Sequence, residues 1–264
     1  MKITKWTVFK AILFVLSAWA FCKIFSYPTG LLVFAGLVTH EYGHVWAAKK
    51  VGWATQGMTF IPFVGGIAWV TPNKNSSKNN AYVALMGPAW GMCALILMHI
   101  VALITGNKSF SDAAHWTALI NLFNLLPIYP LDGGRVAQAI IVSWGGQKAN
   151  IICVFVALVV SLLTGIITPY KIFILLAYYL AMEIPVHWEN YKFMKTLDNA
   201  LVSKLASVIT SDHKQANAMA LAVQQVKENF KQVVVETMTK QQMISCTKVH
   251  AGLCFLFLLV YYSK

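Results

Sequence analysis

His40-Glu41-Tyr42-Gly43-His44 stands near the end of an apolar run that extends from Leu31 to Ala48. On a helix, two histidines four residues apart lie one above the other on the same face. That face can offer two imidazoles to one Zn²⁺ ion, and Glu41 between them can take a proton from a metal-bound water. Ionisable groups are costly in so apolar a run unless they face a wet or metal-filled interior. The pattern therefore predicts a metal site inside a buried helix, against the alternative of a buried histidine pair that holds no metal.

The composition of the 264-residue chain is that of a membrane protein, because 58% of its residues are hydrophobic and only 11% are charged. Its net charge of +12 would suggest a nucleic-acid partner in a soluble protein. Here nearly all basic residues are lysines scattered at the ends of apolar runs, which favours anchoring by anionic lipid and predicts no nucleic-acid partner. The five cysteines form no C-x-x-C pair, which indicates packing residues rather than a disulfide framework.

Long apolar runs predict an all-α polytopic membrane protein with about six transmembrane helices. Residues 53–70 are apolar too, but glycines and Pro62 interrupt them, and their threonine, aromatic and β-branched residues indicate strands. Such backbone is tolerated at membrane depth only where protein or a wet cavity covers it, so we expect a re-entrant hairpin or loop. The expected spans are residues 7–25, 29–48, 81–105, a segment that starts near 113, 149–168 and 171–187.

Two domains are expected, a membrane-embedded domain over residues 1–188 and an amphipathic helical tail over 189–264. Met219, Val223, Val226 and Phe230 fall at helical spacing in the tail. The last apolar run, 249–262, has only fourteen residues, which favours an interfacial or docked helix over a seventh span. Ala18-Trp19-Ala20 resembles a signal-peptidase site, but we expect the first segment to be retained as a neighbour of the metal helix.

The lysines also predict the orientation of the chain. With six spans, most of the loop lysines fall on one side, and this excess marks the cytoplasmic side. We therefore expect an integral protein of a bacterial inner membrane, with its N-terminus, hairpin and tail in the cytoplasm. The lysines on this side are Lys2, Lys5, Lys49, Lys50, Lys74, Lys78 and Lys148.

Acidic residues are scarce before the tail, and Asp132 stands in an unusual context. Two prolines and two glycines within residues 124–135 forbid a continuous helix, so Asp132 lies on a turn, and a helix resumes over 136–144 until Gly145-Gly146. A catalytic zinc needs three protein ligands and one open position. His40, His44 and Asp132 supply the three ligands and leave the fourth position open. The alternative is an aspartate that caps the next helix.

Two motifs of this chain together resemble the site-2 proteases, which are zinc metalloproteases that cut within the membrane. They are His40-Glu41-x-x-His44 and Asn124-x-x-Pro127-x-x-Pro130-Leu131-Asp132-Gly133. Residues 62–66 resemble the glycine-bearing re-entrant strand of that family, and Gly87-Pro88 resembles its G-P motif. The resemblance covers roughly residues 29–145. No PDZ-like insertion follows the hairpin and the tail does not resemble a CBS domain, so the compact branch that lacks a PDZ domain is favoured.

The resemblance implies that His40, His44 and Asp132 bind one zinc ion per chain and that Glu41 is the catalytic base. It also implies that Asn124 helps to hold the substrate or the transition-state oxygen. Trp90 stands near the position where the family usually has an asparagine, so no role is transferred to it. Gly65 and Gly66 are candidate substrate-binding residues, because an open strand edge pairs with an extended peptide; the alternative is that they only make the turn.

The leading hypothesis is an intramembrane zinc endopeptidase that cleaves the transmembrane segment of a single-span substrate within the lipid bilayer. One alternative is a metal-ion transporter, and a second is a non-proteolytic, zinc-stabilised regulatory membrane protein. Glu183 and His187, one helical turn apart, would suit a permeation path, but a helix-end pair that faces the interface is the favoured explanation. Whether the chain forms a homo-oligomer or binds a partner through its tail is left open.

Overall fold

The computed structural model describes residues 5–63, 65–72, 76–167, 172–209 and 237–262. Over these residues the chain is mostly helical, with one pair of strands between the second and third helices. The described elements are α1 (Lys5–Phe25), α2 (Thr29–Lys50), β1 (Ala54–Ile61), β2 (Gly65–Thr71), α3 (Ser77–Thr105), α4 (Lys108–Asn124), α5 (Asp132–Ile167), α6 (Ile172–Ile209) and α7 (Lys240–Tyr262).

Among the described residues, four helices are long and apolar enough to cross a membrane, as expected of an integral membrane protein. The helix with both histidines, α2, is not among them, and α4 has only 17 residues. The count of six spans therefore stays a prediction. The four candidates are Lys5–Phe25, Ser77–Thr105, Lys148–Ile167 and Lys240–Tyr262.

The last of these helices corrects one prediction. The fourteen-residue run 249–262, whose shortness favoured an interfacial or docked helix, is the end of α7, which has 23 residues and starts at Lys240. The length on which that prediction rested was therefore wrong, whereas the choice between an interfacial or docked helix and a seventh span stays a prediction. The sequence misled because Lys240, Lys248 and several polar residues precede the apolar run, although the helix continues through them.

The described chain forms two compact units. The first consists of the described residues within 1–73, 79–136 and 240–264, and the second of the described residues within 74–78 and 137–239. In the first unit, α2 packs against α1 and α4, and α7 packs along α4.

Phe14 of α1, Phe34 of α2 and Phe60 of β1 meet edge to face, with ring centroids 5.0 to 5.5 Å apart. Three elements therefore share one apolar core behind the hairpin.

The strands β1 and β2 form an antiparallel hairpin, in which Ala54 pairs with Thr71 and Ile61 with Gly65. A bulge interrupts the register between Thr55 and Gly57. This confirms strands in residues 53–70, whereas their re-entrant position in a membrane stays a prediction. The hairpin packs on α1 and α2, so these two helices set its position.

The predicted break after the fourth apolar segment is confirmed. Helix α4 ends at Asn124, and α5 begins at Asp132, four residues before the predicted start at residue 136. Asp132 therefore lies in the first turn of a helix and not on a turn before it. The backbone N–H of Leu125 closes the end of α4 by donating to the Asn121 carbonyl at 3.0 Å. The break at Gly145-Gly146 is also confirmed, because Gly146 has the non-helical angles φ 65° and ψ −163° inside α5.

The second unit contains a line of polar side chains. Asn150 accepts a hydrogen bond from Gln138 at 2.9 Å and lies 3.2 Å from the His187 ring. Helix α6 runs without a break across residue 188, and the boundary of the predicted tail domain stays a prediction. The predicted helical face of Met219, Val223, Val226 and Phe230 lies outside the described residues.

Candidate metal centre

Helix α2 presents His40 and His44 on one face, as the spacing predicts. Their Nε2 atoms are 3.1 Å apart, and both side chains are buried. The chain around them is helical because it is rich in alanine, leucine and other apolar residues, and no proline interrupts Thr29–Lys50. Two imidazole nitrogens therefore point at the same place inside the protein.

Asp132 completes the group from the start of α5. Its Oδ2 atom lies 3.1 Å from His40 Nε2 and 3.2 Å from His44 Nε2. Zinc bonds of about 2.0 to 2.2 Å at tetrahedral angles place neighbouring ligand atoms about 3.3 Å apart. The three atoms therefore form a triangle close in size to one face of such a tetrahedron. In the described part of the chain, this is the one group of three or more such residues that is suited to a metal ion.

The hydrogen bonds of the two rings leave their Nε2 atoms available as ligands. His44 Nδ1 donates to the Val83 carbonyl at 2.8 Å, and His40 Nδ1 donates to Asn121 Oδ1 at 2.8 Å. Asn121 Nδ2 in turn donates to the Thr117 carbonyl at 2.8 Å, which sets the orientation of the amide. A neutral imidazole that donates through Nδ1 has its lone pair on Nε2. Three acceptor atoms that face one another need a cation between them, and the donor set suits zinc.

Glycines make room for this group. A Cβ atom on Gly87 of α3 would collide with the His44 ring and would lie 2.9 Å from His40 Nε2. Gly133 and Gly134 likewise have no room for a side chain against the backbone of residues 125–129. Gly87 thus lets α3 approach the two histidines closely, and Gly133 and Gly134 let the start of α5 pack closely against residues 125–129.

Glu41 lies on α2 beside the two ligands, and its side chain is 7% exposed. Strand β2 lies against it, because a Cβ atom on Gly66 would collide with Glu41 Cγ and would lie 2.8 Å from Cδ. Gly65 has φ 138°, which favours glycine, and no atom lies within 4 Å of its would-be Cβ. The structure thus brings Gly66, but not Gly65, into contact with the predicted base.

Asn124 and Asn121 differ in their positions. Asn124 is the last residue of α4 and is partly exposed, and its predicted role toward the substrate stays a prediction. Asn121, one turn earlier, is the residue that contacts His40. Sequence reasoning missed Asn121, although an amide in the middle of an apolar helix is a signal for a buried hydrogen-bond partner.

Arg135 is a second residue that sequence reasoning missed. Its guanidinium Nη1 atom lies 3.7 Å from Asp132 Oδ1, and Nη2 donates to Asn80 Oδ1 at 3.0 Å. The two carboxylate oxygens of Asp132 therefore have different neighbours, since Oδ2 faces the histidines and Oδ1 faces the arginine. The sequence did contain a signal for this role, because Arg135 is the one arginine of the chain and follows Asp132 by three residues.

A helix with His-Glu-x-x-His and a distant aspartate beside the two histidines is a ligand pattern that occurs in zinc metalloproteases. Residues 29–116 match the model of Peptidase family M50. The chain therefore contains a Peptidase family M50 domain, and the resemblance to the site-2 proteases is confirmed.

The chain is similar to several curated proteins over part of its length. It is 29% identical to the zinc metalloprotease MJ0392 of Methanocaldococcus jannaschii over 116 residues, which cover 42% of this chain and 33% of the relative. It is 32% identical to the putative zinc metalloprotease sll0528 of Synechocystis over 132 residues, which cover 47% and 34%. The chain thus spans about a third of the length of the curated relatives it matches.

The chain is also similar to a sporulation protein and to a protease of known structure. Stage IV sporulation protein FB of Bacillus subtilis is 28% identical over 103 residues, which cover 38% of this chain and 35% of that protein. The solved structure of the site-2 protease from Methanocaldococcus jannaschii has a TM-score of 0.46 and 23% identity, with 68% of this chain and 88% of that chain covered.

Proposed function

We propose that this chain is an intramembrane zinc endopeptidase, which cleaves the transmembrane segment of membrane-anchored substrates. The observation that carries the proposal is the convergence of His40, His44 and Asp132, with Glu41 beside them and a strand against Glu41. A zinc ion held by these three side chains supplies Lewis acidity, which polarises a scissile carbonyl and makes water a better nucleophile.

Glu41 is the general base of the proposed hydrolysis. Its carboxylate takes a proton from the attacking water and then gives it to the amine that leaves when the C–N bond breaks. Both transfers need a carboxylate that does not serve as a ligand, and Glu41 lies next to His40 on α2 but outside the His40, His44 and Asp132 group. Its burial keeps competing water away from the transferred proton.

Asn124 is proposed to donate a hydrogen bond from its side-chain amide to the oxygen that becomes negatively charged in the transition state. The residue ends α4, the helix that also supplies Asn121 to His40. The two asparagines of α4 thus have different proposed roles, because Asn121 orients His40 and Asn124 binds the substrate.

The substrate helix must unwind before it can be cut, because its peptide carbonyls are engaged in i to i−4 hydrogen bonds. An extended peptide then needs a strand edge that satisfies its backbone groups. We assign this edge to β2. Strand β1 packs on α1, and Lys10 Nζ of this helix donates to the Gln56 carbonyl at 2.8 Å, so one backbone acceptor of β1 is already engaged. Strand β2 instead lies against Glu41, so a peptide paired with it passes close to the base.

The proposed setting is a bacterial inner membrane, with the N-terminus and the tail on the cytoplasmic side. The excess of lysines in alternate loops supports this orientation. The substrate is a single-span membrane protein that is cut as part of a regulated pathway, and the tail is the candidate site for an additional partner.

A metal-ion transporter is a weaker proposal. A permeation path needs several polar sites in succession across the membrane. Over the residues that the structure describes, His40, His44 and Asp132 form the one group of three or more histidine, cysteine or acidic side chains suited to a metal ion, and a base beside it has no use in transport.

The test is cleavage of a single-span substrate by the purified protein in detergent. We expect cleavage that a zinc chelator abolishes, that added zinc restores, and that Glu41→Gln lowers at least about 100-fold. Metal flux into sealed vesicles without any cleavage would contradict the proposal.

A further inference from the structure

Helix α7 reaches the metal centre through one hydrogen bond. His250 Nε2 lies 2.8 Å from the carbonyl oxygen of Leu125, and because a carbonyl only accepts, this ring nitrogen carries the proton. The contact joins residues 125 positions apart, and both belong to the first compact unit. No metal-ligand motif of the sequence extends to this part of the chain.

The Leu125 peptide group occupies a central place beside the site. Its N–H donates to the carbonyl of Asn121, the residue whose side chain orients His40. Its carbonyl oxygen lies against Gly133, where a Cβ atom would collide with it. Gly133 directly follows the ligand Asp132. The Leu125 peptide group therefore contacts both Asn121, which orients His40, and Gly133, which follows Asp132.

His250 supplies a hydrogen-bond donor to a buried carbonyl that has no other donor among the described residues. Leu125 is 2% exposed, and the last carbonyls of a helix have no partner within the helix. Among the described residues, no backbone N–H donates to this oxygen. A buried carbonyl without a donor is unfavourable, so the turn would move if the histidine were lost.

The rest of α7 holds the histidine in place. Phe257 is fully buried, and the Tyr261 ring stacks on His115 of α4 with centroids 4.3 Å apart. Residues 250, 257 and 261 follow at spacings of seven and four, so they share one face of the helix. Helix α7 is thus packed along α4 at both ends of this face.

We propose that α7 is part of the metal centre and that His250 is a positioning residue, which fixes Asp132 through the Leu125 carbonyl. The inference rests on the proposed zinc ligands but not on the proposed proteolysis. Its consequence is that the zinc affinity depends on a residue far outside the matched family domain of residues 29–116.

The experiment measures zinc affinity of the full-length protein in detergent by competition with a chromogenic chelator. His250→Leu removes the donor, and His250→Gln retains an N–H close to the position of the imidazole Nε2. Tyr261→Leu is the matched control, because it weakens the packing of α7 on α4 without touching Leu125. We expect His250→Leu to bind zinc about tenfold more weakly, while His250→Gln and Tyr261→Leu stay within about twofold of the native protein.

Three results would overturn the inference: native affinity in His250→Leu, an equal loss in Tyr261→Leu, or an equal loss in His250→Gln. If His250→Leu does not fold, His250→Asn replaces it, because its shorter amide does not reach the carbonyl. His44→Ala, measured in parallel, reports on the proposed zinc site itself. If that variant binds zinc like the native protein, the proposed site fails, and this outcome is distinct from a failure at His250.

Discussion

Asn121 Oδ1 accepts a hydrogen bond from His40 Nδ1 at 2.8 Å, and this contact fixes the tautomer of a ligand. The amide is itself held by the Thr117 carbonyl and sits over Gly91, where a Cβ atom would collide with it. The contact also shows that α4 supports the site through a residue outside the recognised Asn124-to-Gly133 motif.

Replacement of Asn121 by leucine should weaken zinc binding about 10- to 100-fold, because the ring of His40 loses the acceptor that orients it. Asn121→Asp retains an acceptor for His40 Nδ1, so its zinc affinity should decrease less than that of Asn121→Leu. The measurement is chelator competition with the purified protein. Equal affinities of Asn121→Leu and the native protein would show that this hydrogen bond does not support the ligand.

Asn124→Leu should behave differently from the Asn121 variant. Because Asn124 is proposed to bind the transition-state oxygen, its loss should lower kcat about 100-fold while the zinc content stays near one per chain. Metal analysis and cleavage assays on the same preparation separate the two effects. A loss of zinc in Asn124→Leu would assign this residue to the support of the metal instead.

Gly66→Val should impair cleavage without removing zinc. A side chain at residue 66 collides with Glu41, so either the base or strand β2 must move, while the three ligands lie on other elements. Gly252→Ala is the control, because no atom lies within 4 Å of a Cβ there. Full activity of Gly66→Val would count against both the closeness of β2 and its role in substrate binding.

Three single variants should separate ligands from base by their metal content. Glu41→Gln should keep about one zinc per chain and lose activity, whereas His44→Ala and Asp132→Ala should lose both. The reverse pattern, with an empty Glu41 variant and a full Asp132 variant, would show that the roles are wrongly assigned.

The orientation can be tested by cysteine labelling from one side of the membrane, in a chain without its five native cysteines. Lys78→Cys at the start of α3 and Ser111→Cys near the start of α4 should have opposite accessibilities, because the apolar part of α3 lies between them. Equal labelling of both from the same side would refute the predicted topology.

The substrate should be cut more readily where its helix unwinds more easily. Glycine, proline or asparagine near the scissile bond should raise the cleavage rate, and a poly-leucine segment should lower it, since the peptide must become extended before it reaches β2. Rates on matched single-span substrates provide the measurement. The same rate for a poly-leucine substrate would argue against strand pairing.

Local patterns in the sequence were sufficient for the parts of this protein that depend on near neighbours. The i, i+4 spacing of His40 and His44 is a property of one helix, the break before Asp132 follows from prolines and glycines, and the hairpin follows from its residue types. The apolar composition likewise indicated a membrane protein. The sequence also indicated that His40, His44 and Asp132 lie together, because so few acidic residues compete with Asp132, and the structure brings these three side chains together.

Tertiary structure alone decided which distant groups support the site. Asn121 and Arg135 are recognisable only once α4 and the turn before α5 lie beside α2, and the closeness of Gly66 to Glu41 depends on how the hairpin packs. The role of α7 could not be read from its sequence, since an interfacial helix and a packed one have the same apolar run. The packed helix is recognised by the hydrogen bond from His250 to the buried carbonyl of Leu125. That carbonyl is buried, and so needs a donor, only when α4, residues 125–131 and α7 are folded together.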